Sequence, residues 1–198
     1  MIDFTITLTG TAPLLMHNGR GANPLDPAAK AIKRLTGKRN KTDDDYAELA
    51  RVEFAAGLYI DPDIGPYIPS DNILRCLFDS AKLTKMGVKV TRGVWITTDI
   101  NPLVYDGPRD EQALWDAGWR HLTSAKNPGQ SGRIMRCRPW FPEWKVQADG
   151  IVDPTQLDLD NIKSIADNAG SFIGLGDWRP RFGRFTATVA RAEKAASA

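Results

Sequence analysis

The first regular signal along the chain is an alternation. In residues 3–9, DFTITLT, Phe4, Ile6 and Leu8 are separated by polar residues, which is the period of a half-buried strand. From Gly10 to about Pro69 the pattern changes. A loop with Gly19, Gly21 and Pro24 precedes two stretches of helical spacing, Asp26 to Leu35 and Thr42 to Ala56, the second with Tyr46, Leu49, Ala50 and Phe54 expected on one face. A structureless connection of that length is uncommon in a compact domain, and its periodic apolar positions predict a helical insertion over residues 17–64. Residues 65–85 then read as a short extended piece, a stop at Pro69, and a helix capped by Ser70 or Asp71. Ile73, Leu74, Leu77, Phe78 and Ala81 form its apolar stripe.

Strand patterns return at 94–100 and 102–105, followed by a turn at Asp106-Gly107-Pro108 and a short helix with Leu114, Trp115 and Trp119. The polar segment 124–132 reads as a flexible loop leading into RIMRCRPWF. If that segment is extended, Arg136, Arg138 and Trp140 share one face and Met135 and Cys137 the other. A strand over 144–152 follows, then a helix over 158–169 with Leu159, Ile162, Ile165 and Ala166 inward and Gly170 expected as its C-cap. A glycine-rich loop, a last strand from Phe185 to Ala190 and an Ala/Lys/Ser tail complete the chain. With the insertions at 17–64 and 106–142 set aside, the order is βαββαβ. That order predicts an α+β, ferredoxin-like domain over 1–198, an antiparallel sheet covered on one face by two helices. The open face of such a sheet is a common platform for single-stranded nucleic acid.

Composition narrows the chemistry. The 198 residues are 42% hydrophobic and 25% charged, the usage of an ordinary globular domain. Two cysteines, Cys76 and Cys137, are too few for a disulfide scaffold or a four-cysteine zinc module, and they read as small core residues. Only His17 and His121 are left to supplement a metal site, so neither metal nor cofactor is expected. No apolar run approaches the ~18 residues of a membrane span, and Asp3 interrupts what a signal peptide would need. A cytoplasmic protein with no membrane partner is expected.

The net charge of +2 hides a strong segregation. Residues 30–41 hold six Lys/Arg and no acid, residues 117–142 five and none, and residues 178–191 four and none. More than half of the 26 basic residues therefore lie in three acid-free windows, within a remainder that is acidic. Such a set of windows suits a face that tracks a polyanion, provided the windows meet in space.

The last window contains the most informative motif, FIGLGDWRPRFGRF, which places Gly174, Gly176 and Gly183 around Arg179, Arg181 and Arg184. A dinucleotide fingerprint needs a strand before and a helix after, the reverse of the order here, and no GK[ST] follows to make a phosphate loop. Trp178 and Phe182 are interleaved with the arginines. Guanidinium groups pair with phosphate and aromatics stack on bases, so the loop is read as a nucleic-acid contact.

This loop, together with PYIPSDNILRCLFDSAK, resembles the RAMP superfamily, the repeat-associated proteins of CRISPR effector complexes. Tyr67-Ile68-Pro69-Ser70, with Leu74 and Phe78, follows the family's helix-initiating stretch, and Gly174, Gly176 and Gly183 its last glycine-rich loop. Ser70-Asp71-Asn72 stands where the family has Gly-Ser-Ser, and one unit rather than two is present. The chain also resembles small RAMP-like proteins of phages and mobile elements. The resemblance implies a ferredoxin-like core and guide-RNA or single-strand binding.

Some RAMP proteins cleave RNA, which makes His17 a candidate general acid or base and Asp26 a second candidate. Asp26 also reads as a helix N-cap with Pro27 behind it, and Asp43-Asp44-Asp45 as acids complementing a helix N-terminus. The leading expectation is a non-catalytic protein that binds single-stranded RNA, or less readily DNA, as a homo-oligomer or a subunit of a ribonucleoprotein. Arg136, Arg138, Arg179, Arg181 and Arg184 would hold phosphates and Trp140 and Trp178 would stack on bases, while Lys33, Arg34, Lys38 and Arg39 extend the track or grip a neighbouring subunit. The alternatives are an endoribonuclease and a protein–protein module anchored by Arg and Trp.

Overall fold

The computed structural model describes residues 1–126 and 133–192; most of the polar segment at 124–132 and the terminal tail lie outside them. The cleanest alternation gives the longest strands. β1 (Ile2–Gly10) pairs antiparallel with β9 (Lys145–Val152) on one side and β10 (Phe185–Arg191) on the other. Paired residues share a face, so Phe4, Ile6, Leu8, Val146, Ala148, Val152, Phe185 and Ala187 all point one way and are buried. β9 carries β5 (Val94–Ile96) and β6 (Ile100–Val104) in succession on its far edge. Near the start of β6 the buried Asn101 side chain donates to the Ile68 carbonyl at 3.0 Å, tying this strand to β4 (Gly65–Pro69). With the two-residue β3 (Ile60–Asp61), the order is β10-β1-β9-β6-β4-β3, with β5 also on β9 and every neighbouring pair antiparallel.

Two helices cover the buried face. α3 (Ser70–Leu83) buries Ile73, Cys76, Leu77 and Ala81, and α6 (Leu159–Asn168) buries Ile162, Ile165 and Ala166. Each large side chain so removed from water contributes roughly 1.5–3 kcal/mol. The two helices are joined where the Ser80 hydroxyl donates to the Ile165 carbonyl at 2.7 Å. Two cap expectations need correction. Pro69, with no side-chain hydrogen bond, caps α3 in place of Ser70 or Asp71, because Ser70 is already the first helical residue and its hydroxyl donates to Asp99 Oδ1 at 3.3 Å. Gly170 does not cap α6. The chain continues through a π-helical turn, Ala169–Ile173, and Gly170 is there for space, since a Cβ would lie 2.0 Å from the Phe185 carbonyl oxygen. α4 (Gly87–Gly93) has no counterpart among the sequence expectations because seven residues are too few to display a period.

The remaining elements form a second layer. β2 (Leu14–Leu15), β8 (Arg133–Phe141) and β7 (Arg120–Lys126) make a three-stranded antiparallel sheet. Behind it lies α2 (Asp43–Gly57), with α1 (Pro27–Thr36) packed on α2 and α5 (Glu111–Asp116) on its other side. Phe54 is buried as expected, but Tyr46 is 57% exposed. The inward slot of that first turn is taken instead by Asp45, which accepts the Thr42 N–H and pairs with Lys38. Tyr105, Trp119 and Phe141 cluster with ring centroids 5.0–5.8 Å apart, so Trp119 serves the core. Cys76 and Cys137 are both buried and unpaired, and burial pushes their thiols up to about 12 and about 11. No helix among the described residues is long and apolar enough to cross a membrane.

Candidate nucleic-acid interface

β2 is two residues long, yet it holds the site together. On one side Leu14 and Leu15 pair with Phe141 and Trp140 of β8. On the other side the glycine-rich turn is stitched to the same segment: Asp177 N–H donates to the Leu15 carbonyl and Gly183 N–H to the Pro13 carbonyl, both at 2.8 Å. The turn also closes on itself, with Leu175 N–H donating to the Gly183 carbonyl at 2.8 Å. Two of its glycines are dictated by this closure. At Gly183, with φ +71°, a Cβ would lie 1.7 Å from the Leu175 carbonyl oxygen; at Gly176, with φ +81°, it would lie 2.3 Å from the Leu15 carbonyl oxygen. These glycines permit close backbone approach. Gly174 ends the π-helical turn, and its carbonyl accepts the buried Cys76 S–H at 3.2 Å.

By strand alternation Arg136, Arg138 and Trp140 lie on one side of β8, and of these Arg138 reaches the glycine-rich turn through Asp177. Their charges are partly spent within the protein. Arg138 Nε lies 2.8 Å from Asp177 Oδ2. Arg136 pairs with Glu53, a carboxylate 4% exposed that also accepts the Cys137 N–H at 2.9 Å. An arginine holding a buried carboxylate is a structural partner first. Arg34 pairs with Glu48 and Lys38 with Asp45 on the α1–α2 layer. They and the neighbouring exposed Lys33 and Arg39 lie outside the cleft described next.

That cleft, of about 140 Å³, opens between the glycine-rich turn and the first turns of α3 and is lined by His17, Asn72, Arg75, Leu175, Gly176, Asp177 and Arg179. Its positive charge centres on Asp79. Arg75 reaches Asp79 at 3.0 Å, Lys82 at 3.3 Å and Arg179 at 3.5 Å, so three cations share one carboxylate. Arg75 remains 64% exposed. α3 starts without a side-chain cap, its first N–H bonded to the Asp99 carbonyl and its first turn carrying Asp71. On the lip, Arg181 and Arg184 are exposed without a carboxylate partner among the described residues. Arg181 sits 5.6 Å over the Phe182 ring, which is also 5.4 Å from His121 and 6.5 Å from Trp178. Trp178 has φ +49°, uncommon for a large residue, and its N–H donates to Asp177 Oδ1 at 3.0 Å.

His17 follows β2 at the cleft's mouth. Desolvation by the surrounding chain, and then the positive charge of Arg138, hold its pKa below the ordinary 6.5. Its imidazole is neutral at neutral pH. Asp26 is elsewhere: it caps α1 by accepting the Ala28 and Ala29 N–H groups, and Arg20, bonded at 2.9 Å, holds its carboxyl below the usual range. No group of three or more potential ligands is placed to hold a metal ion among the described residues.

The open face of the large sheet bears none of the candidate arginines. It presents Thr5, Thr7, Thr9, Thr186 and Thr188 with Asp3, Gln147 and Asp149, and a 43% exposed Trp95. Four cleft residues, Asn72, Arg75, Leu175 and Asp177, went unread in the sequence. Asn72 and Arg75 fall at i and i+3 with Asp79 at i+7, one polar face of α3 beside its apolar stripe, a spacing that would have marked them.

No family model matches the chain, and no curated protein matches it. Among solved structures, it is similar to a chain in the cryo-electron-microscopy structure of the type III-B Cmr-beta bound to cognate target RNA, with a TM-score of 0.51 at 12% identity. The match covers 97% of this chain and 61% of that one, and the likeness is one of fold.

Proposed function

We propose that this chain binds single-stranded nucleic acid, RNA before DNA, by seating the phosphate backbone in the cleft between the glycine-rich turn and α3. The observation that carries the reading is that Arg75 and Arg179, which line the cleft, share a single carboxylate, Asp79, with Lys82, leaving net positive charge. Arg181 and Arg184 extend the charge along the lip, and Trp178 and Phe182 supply ring faces for bases. The core is read as ferredoxin-like. The strand order β10-β1-β9-β5, with α3 and α6 on one face, supports this, since it places a βαββαβ path in the order 4-1-3-2. The similarity to a chain from an RNA-bound assembly and the two RAMP-like motifs support a role as a ribonucleoprotein subunit. Anisotropy titrations of labelled single-stranded RNA, single-stranded DNA and duplex test it: tight, salt-steep binding that prefers single-stranded RNA is expected, and equal weak binding to all three would sink the reading.

A second reading rests on His17. A neutral imidazole in the same cleft as Arg75 and Arg179 would take the proton of a ribose 2′-hydroxyl as that oxygen attacks the adjacent phosphorus, the P–O5′ bond breaking to leave a 2′,3′-cyclic phosphate and a 5′-oxygen that takes its proton from water, while the guanidinium groups meet the developing phosphate charge. Incubating labelled RNA with wild type and His17→Ala separates the two readings. Cleavage abolished in the variant makes the chain a nuclease; intact RNA with both leaves it a binder.

A further inference from the structure

We propose that Asn72 selects ribose over deoxyribose, its side-chain amide meeting the 2′-hydroxyl beside a phosphate held by Arg75 and Arg179, a role that rests on the cleft being the nucleic-acid seat proposed above. Asn72 is the third residue of α3, behind Pro69 at the cap. In α2 and α6 the side chain at that place is spent on its own helix. Asp45 accepts the Thr42 N–H at 3.0 Å and Asn161 accepts the Asp158 N–H at 3.2 Å, each closing a capping box. α3 offers no such partner, because proline carries no N–H. The Asn72 amide, half-buried in the wall of the cleft, accordingly has no hydrogen-bond partner among the described residues.

The neighbours narrow what this amide can meet. Arg75, one turn further along α3, and Arg179 present only donors, and Asp177 is occupied by Arg138 and by the Trp178 N–H. A carboxamide is both donor and acceptor. A phosphate oxygen answers its N–H groups alone and leaves Oδ1 facing another acceptor, whereas a hydroxyl donates and accepts at once. On a strand whose phosphate pairs with the two guanidinium groups, the adjoining hydroxyl is the ribose 2′-OH, the group by which a site tells RNA from DNA.

A base edge also combines donors with acceptors. The cleft, at about 140 Å³, is smaller than the ~300 Å³ at which pockets for whole small molecules begin, so it fits a sugar-phosphate edge and not an inserted base. Among the lining residues His17 is the one other neutral polar side chain, and its imidazole can also donate and accept. The two are separated by substitution.

Anisotropy titrations slightly above neutral pH, with oligo-U and oligo-A probes in ribo, deoxy and 2′-O-methyl form, test this on wild type, Asn72→Ala, Asn72→Leu and His17→Ala. Wild type is expected to bind the ribo form about tenfold more tightly than the other two, the size of one hydrogen bond whose loss leaves its partner unpaired. Asn72→Ala, which opens space, and Asn72→Leu, which keeps it filled, are both expected to lower ribo binding about tenfold to the deoxy level. Deoxy binding, the salt slope and thermal unfolding should stay as in wild type, and His17→Ala should keep the ribo preference. A preference that survives both Asn72 variants, an equal loss on ribo and deoxy probes, a loss confined to one base, or a preference lost only in His17→Ala would each overturn the proposal. A wild type that binds both forms equally with a steep salt slope would overturn it while leaving the phosphate reading of the cleft in place; salt-independent binding would remove that reading and this role with it.

Discussion

Arg138 in β8 and Asp177 at the head of the glycine-rich turn, 39 residues apart, meet at 2.8 Å with their side chains only 13% and 24% exposed. The same carboxylate accepts the Trp178 N–H, so one ion pair fixes both the hairpin and the ring it faces. Arg138→Ala and Asp177→Ala are each expected to lower stability by about 1–3 kcal/mol, and the double variant by less than their sum, with a coupling of about 1 kcal/mol or more. Urea unfolding of the four proteins measures it; strictly additive losses would show that the pair does not act as a unit.

Neighbouring arginines in the sequence are expected to part company in experiment. Arg136→Ala strands the buried Glu53 carboxylate and should cost about 3 kcal/mol of stability. Arg181→Ala touches no carboxylate, so unfolding should shift by no more than about 0.5 kcal/mol while the salt slope of single-stranded RNA binding falls by about 0.7. Thermal melts alongside salt titrations decide the matter, and the reverse pattern would move Arg136 into the binding surface.

Gly183→Ala is expected to be among the most damaging single-methyl changes in the chain. The added carbon meets the Leu175 carbonyl at 1.7 Å, and both groups belong to backbone that is pinned to Pro13 and to itself. A loss of about 3 kcal/mol or more is expected in denaturant unfolding, where an exposed glycine such as Gly19, with nothing within 4 Å, should tolerate the change within about 1 kcal/mol.

These contrasts mark how far the sequence could be read. Alternation placed β1, β9 and β10 and the helical stripes placed α3 and α6, because one buried face imposes its period on every residue that contributes to it. The glycine-rich turn and the shared face of Arg136, Arg138 and Trp140 were legible too. Pairing was not. Nothing in the spacing of Glu53 and Arg136, or of Asp79 and Arg179, says that they meet, so Arg136, read as a phosphate contact, and Lys38, read as extending the track or gripping a neighbouring subunit, are found holding carboxylates. The site also depends on a two-residue strand, Leu14–Leu15, which is too short to carry any periodicity.

His17 gives the site a pH signature. Its folded pKa lies below 6.5, so the cleft gains its extra positive charge only as the pH falls below that value. Binding of single-stranded RNA is expected to be flat around and above neutrality and to tighten on the acid side, a gain absent from His17→Ala. The free protein moves the other way: the unfolded chain takes up the proton first, so stability falls as pH drops below 6.5, and the variant should remove that loss as well. Equal acid-side tightening in wild type and variant would assign the effect elsewhere.

The most direct test of the cleft as the seat of the phosphate backbone is the salt dependence of single-stranded RNA binding by Arg75→Ala/Arg179→Ala beside wild type. Removing one cation that neutralises a phosphate of a single strand lowers the slope of log K against log salt by about 0.7. With two such cations removed, the expected result is a slope lower by about 1.4, weaker binding at every salt concentration and an unchanged preference among sequences. An unaltered slope and affinity in a folded double variant would place the nucleic acid somewhere other than this cleft.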